Sequence, residues 1–449
     1  MLRMFFRRIR PGQLIVLVFL GIILFGAGLL CLPAAARSGR PTPFLTSLFT
    51  ATSATCVTGL IRVDTGTHWT MFGQVVILLL IQVGGLGFMT IACLFFFALR
   101  RRIGLRQRMV IAQALGSDTY SGIVSLVRNI LRGTAAVEGV GALILFFRFL
   151  PEFGFGRALW YGVFHSVSAF CNAGFDVLAD VDAGGSLCRY VTDPVVNFTI
   201  MALIVIGGLG FAVWGDIRHH RRFSRLSVYS RLVVIITTVL IFGGAGVFAA
   251  LEWNNPNTIG DLTVPQKLMA ALFQSVTLRT AGFATFDQNA LSDVSKAASD
   301  LLMLVGGSSG STAGGVKTAT VGVILLSAWS TARGRTSVHV MKRRIPRQAV
   351  ENASALFILV LLLSGLGAAF LSIADHVSLE NALYETISAL CTVGLTTGIT
   401  SSLGTASQII LIVLMFFGRL GIMTISVGFM AANRAEERVS YAETKIMIG

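Results

Sequence analysis

The sequence predicts an all-α integral membrane protein: eight transmembrane helices, arranged as four tandem span–pore-helix/loop–span repeats around a pseudo-fourfold ion pore. Three observations carry that expectation. Hydrophobic residues make up 54% of the 449-residue chain and charged residues 13%, where a soluble domain carries about 25% charged. A small-residue loop closing on a glycine occurs four times, at Thr52–Leu60, Ser168–Phe175, Thr277–Phe283 and Ser388–Leu395. Its glycines, Gly59, Gly174, Gly282 and Gly394, follow one another at steps of about 110 residues, which marks an internal repeat. Finally, each loop follows an apolar segment too short to span a bilayer, and that segment follows a long one.

The first unit reads in order as a span at Gln13–Leu32 stopped by Pro33, a half-helix at Phe44–Ala54, the loop, and a span at 73–99. A span needs about 20 apolar residues, so Phe44–Ala54 can enter only part-way, with its irregular end buried in protein or facing water. The second unit has Arg128–Leu150, Ala158–Phe170 and Val195–Asp216. The third has Val228–Leu251, Gln266–Leu278 and Asp300–Ala332. The fourth has Ala349–Ala374, Glu380–Leu390 and 408–430. Domain boundaries follow at 9–105, 120–222, 226–335 and 346–434, with a cytoplasmic tail at 435–449.

Orientation comes from the basic residues, which favour the cytoplasmic side. The N-terminal Arg3, Arg7, Arg8 and Arg10 precede an apolar run too long for a signal-peptide core, so no cleavable leader is expected. The connectors carry Arg100, Arg101, Arg102, Arg106 and Arg108, then Arg218, Arg221, Arg222, Arg225 and Arg231, then Arg333, Arg335, Lys342, Arg343, Arg344 and Arg347. Both termini and all three connectors are therefore placed in the cytoplasm, and the loops dip in from outside. The net charge of +15 reads as this bias and not as a nucleic-acid footprint. Asp64, Glu152, Asp176, Asp180, Asp182, Asp193, Asp287 and Asp293 fall on the opposite side. They would concentrate cations there, although ordinary solvated loop charges account for them equally well.

A cation entering a bilayer must exchange its water shell for other oxygens, and a ring of backbone carbonyls supplies them. Glycine readily takes the positive φ such a turn needs. The half-helices would aim their negative C-terminal dipole ends at the axis, which favours a cation. Close helix packing is the competing use of membrane glycines, and it explains one loop better than four in register. The six cysteines, three of them inside the loops, form neither a CxxC nor a disulfide framework.

These four loops, on a fourfold span–loop–span repeat, resemble the K⁺ transporter superfamily that includes TrkH, KtrB and plant HKT proteins. The first span starts directly after Arg10, without the extra helix pair of TrkH-type members, so the similarity is greater to KtrB. The resemblance implies a K⁺ filter of Val57, Thr58, Gly59, Asn172, Ala173, Gly174, Thr280, Ala281, Gly282, Thr392, Val393 and Gly394. Glycine rather than serine at position 59 argues for K⁺ over Na⁺. It also implies a homodimer in the plasma (inner) membrane, a cytosolic KtrA- or TrkA-type nucleotide-binding ring as regulator, and Na⁺ as a candidate activator. No organic cofactor is expected.

Two departures from the repeat point to a gate. The third unit's second span is interrupted by Gly306, Gly307, Ser308, Ser309, Gly310, Ser311, Thr312, Ala313, Gly314 and Gly315, just before Lys317. Such backbone at membrane depth belongs inside protein or beside a water cavity, and the resemblance implies an intramembrane loop here. A phosphate-binding loop fails by register, since Val316 stands where lysine must follow. Arg419 lies within an apolar span at a cost of at least ~2.5–3.5 kcal/mol, so it should face the interior. The resemblance places an arginine beneath that loop.

Three further residues read as structural. Arg279 is expected to brace its loop through nearby carbonyls. Glu138 should pair with Arg132 or with another repeat's residue, and His165 should be a packed histidine. An organic-solute transporter would show inverted repeats and a side-chain pocket. An enzyme would show a nucleophile with its base, an acidic dyad or a metal cluster. The sequence shows none of these.

Overall fold

Residues 11–87, 123–178, 185–335 and 337–421 are described by a computed structural model of the chain. The expectations at Arg3 to Arg10, 88–99, Arg100 to Arg108, Asp180, Asp182, the end of the fourth unit at 422–434 and the tail lie outside these residues. Helix boundaries follow capping chemistry. The first unit holds α1 (Pro11–Leu30), α2 (Phe44–Cys56), the single turn α3 (Thr65–His68) and α4 (Met71–Leu86). The Asp64 carboxylate caps α3 and the Thr70 hydroxyl caps α4, each accepting a free N–H of the first turn.

In the second unit α5 (Ile123–Cys171) contains Pro151 and turns at Gly154, where φ is 71°. That turn separates the expected span from the expected half-helix. Next come α6 (Pro194–Leu209), capped by Asp193, and α7 (Phe211–His220). The sequence predicts one span at Val195–Asp216; instead α6 and α7 meet at 93°. Gly210, at φ 89°, makes the corner.

The third unit comprises α8 (Val228–Glu252), α9 (Val264–Thr277) behind a Thr263/Gln266 capping box, α10 (Asp293–Met303) and α11 (Thr318–Ala332). The interruption expected from the glycine and serine run is the gap between α10 and α11. A two-stranded hairpin, β1 (His339–Val340) and β2 (Arg343–Arg344), leads to the fourth unit. That unit is α12 (Arg347–Asp375), α13 (Leu379–Leu390) and α14 (Thr405–Leu420).

Among the described residues, three helices are long and apolar enough to cross a membrane: Val127–Cys171, Val228–Glu252 and Arg347–Asp375. The bent pair α6–α7 makes a fourth, and α1, α4, α11 and α14 are apolar but shorter. Apolar side chains face outward on the long helices; Ile373 is 77% exposed and Phe242 67%. In a soluble protein such faces would aggregate, so they are lipid-facing in a multi-pass membrane protein. The short helices are the reverse: in α2 every residue from Phe49 to Cys56 is buried.

The packing order is cyclic. α4 packs on α5, α6 on α9, α10 on α13, and α14 returns to α2. Within three units a hydroxyl of the short helix donates to a carbonyl of the preceding long one. Ser166 bonds Glu138, Ser275 bonds Ile241 at 2.8 Å, and Thr386 bonds Ser364 at 3.1 Å. These crossings are close because Gly141, Gly244 and Gly367 stand where any Cβ would meet the facing element.

Candidate functional site

Each buried short helix ends in the same backbone turn. Val57, Asn172, Thr280 and Thr392 have φ of 57°, 60°, 66° and 52°; two residues on, the glycines 59, 174, 282 and 394 have 99°, 68°, 79° and 91°. A left-handed conformation costs a non-glycine residue about 1–2 kcal/mol, so four in register need compensation. In three loops a Schellman pair of bonds supplies it. The Val57 N–H donates to the Ala54 carbonyl at 3.2 Å and the Thr58 N–H to Ser53 at 2.8 Å. Asn172 and Ala173 repeat this on Ala169 and Ser168, and Thr392 and Val393 on Ala389 and Ser388. The third loop differs: Ala281 donates to Thr277 at 2.9 Å.

Hydroxyls brace the turns from behind. Ser53 and Ser388 accept from the Gly59 and Gly394 N–H groups, at 3.1 and 3.0 Å. Ser168 and Thr277 instead donate to the Phe175 and Phe283 carbonyls, at 2.7 and 2.6 Å.

The four loops meet in a closed circuit. A Cβ built on Gly59 would lie 2.6 Å from the Ala173 carbonyl oxygen, one on Gly174 2.7 Å from Ala281, and one on Gly282 2.6 Å from Val393. A Cβ on Gly394 would strike the Thr58 carbonyl, completing the circle. All twelve residues expected at the centre are therefore brought together, with four carbonyl oxygens each seated against the next loop's glycine.

A second layer lies behind this circuit. Gly84, Gly207 and Gly418 leave no room for a Cβ against the carbonyls of Thr55, Phe170 and Leu390, each four residues before a central glycine. They open the motifs Gly84-Gly85-Leu86-Gly87, Gly207-Gly208-Leu209-Gly210 and Gly418-Arg419-Leu420-Gly421, whose last glycines have φ of 76°, 89° and 81°. In the third unit Gly306 and Gly307 open the break instead.

The break is held by backbone partners, which explains how irregular chain survives at this depth. Ser308 and Thr312 N–H donate to Gly208 and Gly207 at 3.0 and 3.3 Å, and Phe211 N–H donates to Gly310 at 3.0 Å. The Thr312 hydroxyl reaches the Phe170 carbonyl at 3.0 Å, and Lys317 Nζ the Ala313 carbonyl at 2.9 Å. Arg419 joins this layer: one nitrogen donates to the Thr312 carbonyl, the other to Gly84 and, at 3.1 Å, Gly85. The residues expected at the gate, 306–317 and Arg419, thus form one connected group.

The remaining polar residues divide. Glu138 is met by Gln82 of the first unit, whose amide donates at 3.1 and 3.3 Å, while Arg132 is exposed. Of the two pairings expected, the inter-repeat one is formed. Arg279 reaches the Gly306 carbonyl at 3.5 Å, on the break and not on its own loop. His165 sits among Phe149, Phe164 and Phe283 with Nδ1 2.7 Å from the Tyr161 carbonyl. Among the described residues no three His, Cys, Asp or Glu form a metal-holding group. Sequence reasoning missed Gln82 and the Gly-Gly-Leu-Gly motif; the motif's recurrence was the available signal.

The family described as cation transport protein, TrkH, matches residues 22–438. The potassium/sodium uptake protein NtpJ of Enterococcus hirae is 40% identical over 448 residues, covering 99% of this chain and 98% of that protein. Ktr system potassium uptake protein B of Bacillus subtilis is 39% identical over 442 residues, covering 98% and 97%. The crystal structure of the potassium transporter TrkH from Vibrio parahaemolyticus superposes with a TM-score of 0.74 at 18% identity, covering 93% of this chain and 84% of that one. The chain belongs to the TrkH family of cation transport proteins, and is a transporter and not an enzyme.

Proposed function

We propose that the protein is the ion-translocating membrane subunit of a K⁺ uptake system. In this reading α1, α4, α11 and α14 complete eight spans together with the long helices, and each unit contributes one loop to a pseudo-fourfold filter. The observation that carries it is the closed circuit of Gly59, Gly174, Gly282 and Gly394 against four neighbouring carbonyls. K⁺ exchanges its water for the carbonyls of residues 57–59, 172–174, 280–282 and 392–394, and moves down its electrochemical gradient. Four short helices direct their C-terminal dipole ends at the same point, each worth about 0.3–1 kcal/mol for a nearby cation.

Conduction is interrupted one layer further in, where Gly306 to Lys317 fill the space and Arg419 adds a positive charge. Opening requires Arg419 to release Thr312 and the break to withdraw. Control comes from a partner in this reading. The B. subtilis relative is named as part of a Ktr system, which supports a multi-component uptake system; the cytosolic nucleotide-binding ring and the homodimer are what the sequence resemblance implies. The name of NtpJ includes sodium, which supports Na⁺ as an activator of K⁺ uptake.

The test is ⁸⁶Rb⁺ uptake into proteoliposomes with K⁺ or Na⁺ as competitor. Wild type should be inhibited by K⁺ and not Na⁺, and Gly59→Ser should lose that discrimination. Absence of cation flux even after deletion of 306–315 would sink the reading.

A further inference from the structure

The gate segment is gripped from one side by a single stretch of chain, residues 207–229. Its first part supplies the bonds from Gly207, Gly208 and Phe211 described above, and the Ser308 hydroxyl also donates to the Leu209 carbonyl. Its far end returns: the Tyr229 hydroxyl donates to the Ser309 carbonyl at 3.2 Å. Between these grips α7 leaves α6 at 93°, and the stretch is clasped into one piece. Asp216 lies 2.7 Å from His220 Nδ1 and accepts the Ser227 N–H at 2.9 Å. Trp214 donates to the Ile206 carbonyl at 2.9 Å and packs edge-on against Phe170, whose carbonyl holds Thr312.

The outer face of this piece is basic. Arg218, His219, His220, Arg221, Arg222 and Arg225 are all exposed, and between 211 and 231 Asp216 is the one acidic residue. Beside them Ile217 is 41% and Phe223 51% exposed. A helix at right angles to a span lies along the membrane surface, and exposed apolar residues among arginines suit the headgroup boundary. An acidic protein surface would match the charge and not the apolar residues.

We infer that residues 211–229 form a lever whose arginines bind anionic phospholipid headgroups of the inner leaflet and whose two grips transmit that binding to the gate segment. The inference rests on the conduction reading above.

The experiment compares ⁸⁶Rb⁺ uptake in vesicles of phosphatidylcholine alone and of phosphatidylcholine with phosphatidylglycerol. Alongside it, calorimetry measures short-chain phosphatidylglycerol binding to the solubilised full chain. Phosphatidylglycerol should change uptake in wild type. The variant R218Q/R221Q/R222Q/R225Q should bind phosphatidylglycerol at least about tenfold more weakly and lose the response, with uptake in pure phosphatidylcholine retained. Tyr229→Phe should keep the binding and lose the response. Equal uptake in both vesicles, or a response that survives the four substitutions, overturns the inference while leaving conduction intact. So does a patch that answers only to a soluble acidic regulator. Absence of uptake everywhere instead condemns the conduction reading.

Discussion

Arg419 and Thr312 are joined across the molecule: the guanidinium of α14 donates to the Thr312 carbonyl in the break and, through its other nitrogen, holds Gly84 and Gly85 of α4. One side chain thereby ties the fourth, third and first units. Hydrogen bonds from a charged group contribute about 1.5–3 kcal/mol each, so losing one shifts the closed-to-open balance about tenfold or more. Arg419→Ala should raise ⁸⁶Rb⁺ leak by that order. Arg419→Lys keeps the charge but cannot fork between two sites, and should also leak. Wild-type flux in both variants would refute the latch.

Gly394 and Gly39 separate two costs of replacing glycine. Both have positive φ, but a Cβ at Gly39 meets open space while one at Gly394 strikes the Thr58 carbonyl. Gly39→Ala should cost about 1–2 kcal/mol of backbone strain and leave uptake unchanged. Gly394→Ala should abolish K⁺-selective uptake. Equal effects on transport would mean the circuit is not the pathway.

Glu252 closes α8 onto α10. Its carboxylate, 1% exposed, accepts from Ser292, Ser295, Asn255 and Thr258. Glu252→Ala leaves the buried Ser295 hydroxyl and the half-buried Asn255 and Thr258 without this acceptor, at about 1–3 kcal/mol for each that stays dry. Thermal unfolding of the solubilised protein should fall by several degrees, with the K⁺/Na⁺ competition ratio unchanged among surviving molecules.

His68, in the single turn α3 after the first loop, is held below its ordinary 6.5 by burial, with Asp64 partly opposing. A depressed imidazole favours the neutral form in the folded state. Its contribution to stability is therefore full above 6.5 and is lost as pH falls through the folded value. The melting temperature of wild type relative to His68→Gln should decline across that window on acidification; a flat difference would show that His68 plays no part.

The four loops were legible because each carries its instructions locally: small residues, a glycine in register, and a half-length apolar run before it. The bend at Gly210 was not. Val195 to Asp216 is apolar enough to read as one span, and the glycine that turns it matters only because Ser308 and Gly310 occupy the space beyond. Gln82 and Glu138 were illegible as a pair for a related reason. Neither neighbours the other on a helix, and they meet only once α4 has packed against α5. Arg419 was legible as an oddity by its cost in an apolar run, while its partners, all backbone carbonyls, carry no sequence signature.

The circuit of glycines also fixes the order in which the molecule can be made. Its last contact joins Gly394 to Thr58, and Arg419 reaches Gly84 across 335 residues. Contacts of such sequence separation form late. During synthesis the first three units must wait in the bilayer with one quarter of the ring missing. The chain is therefore sealed by its own final quarter, and a ribosome that stops before that quarter leaves the circuit open between Gly282 and Gly59.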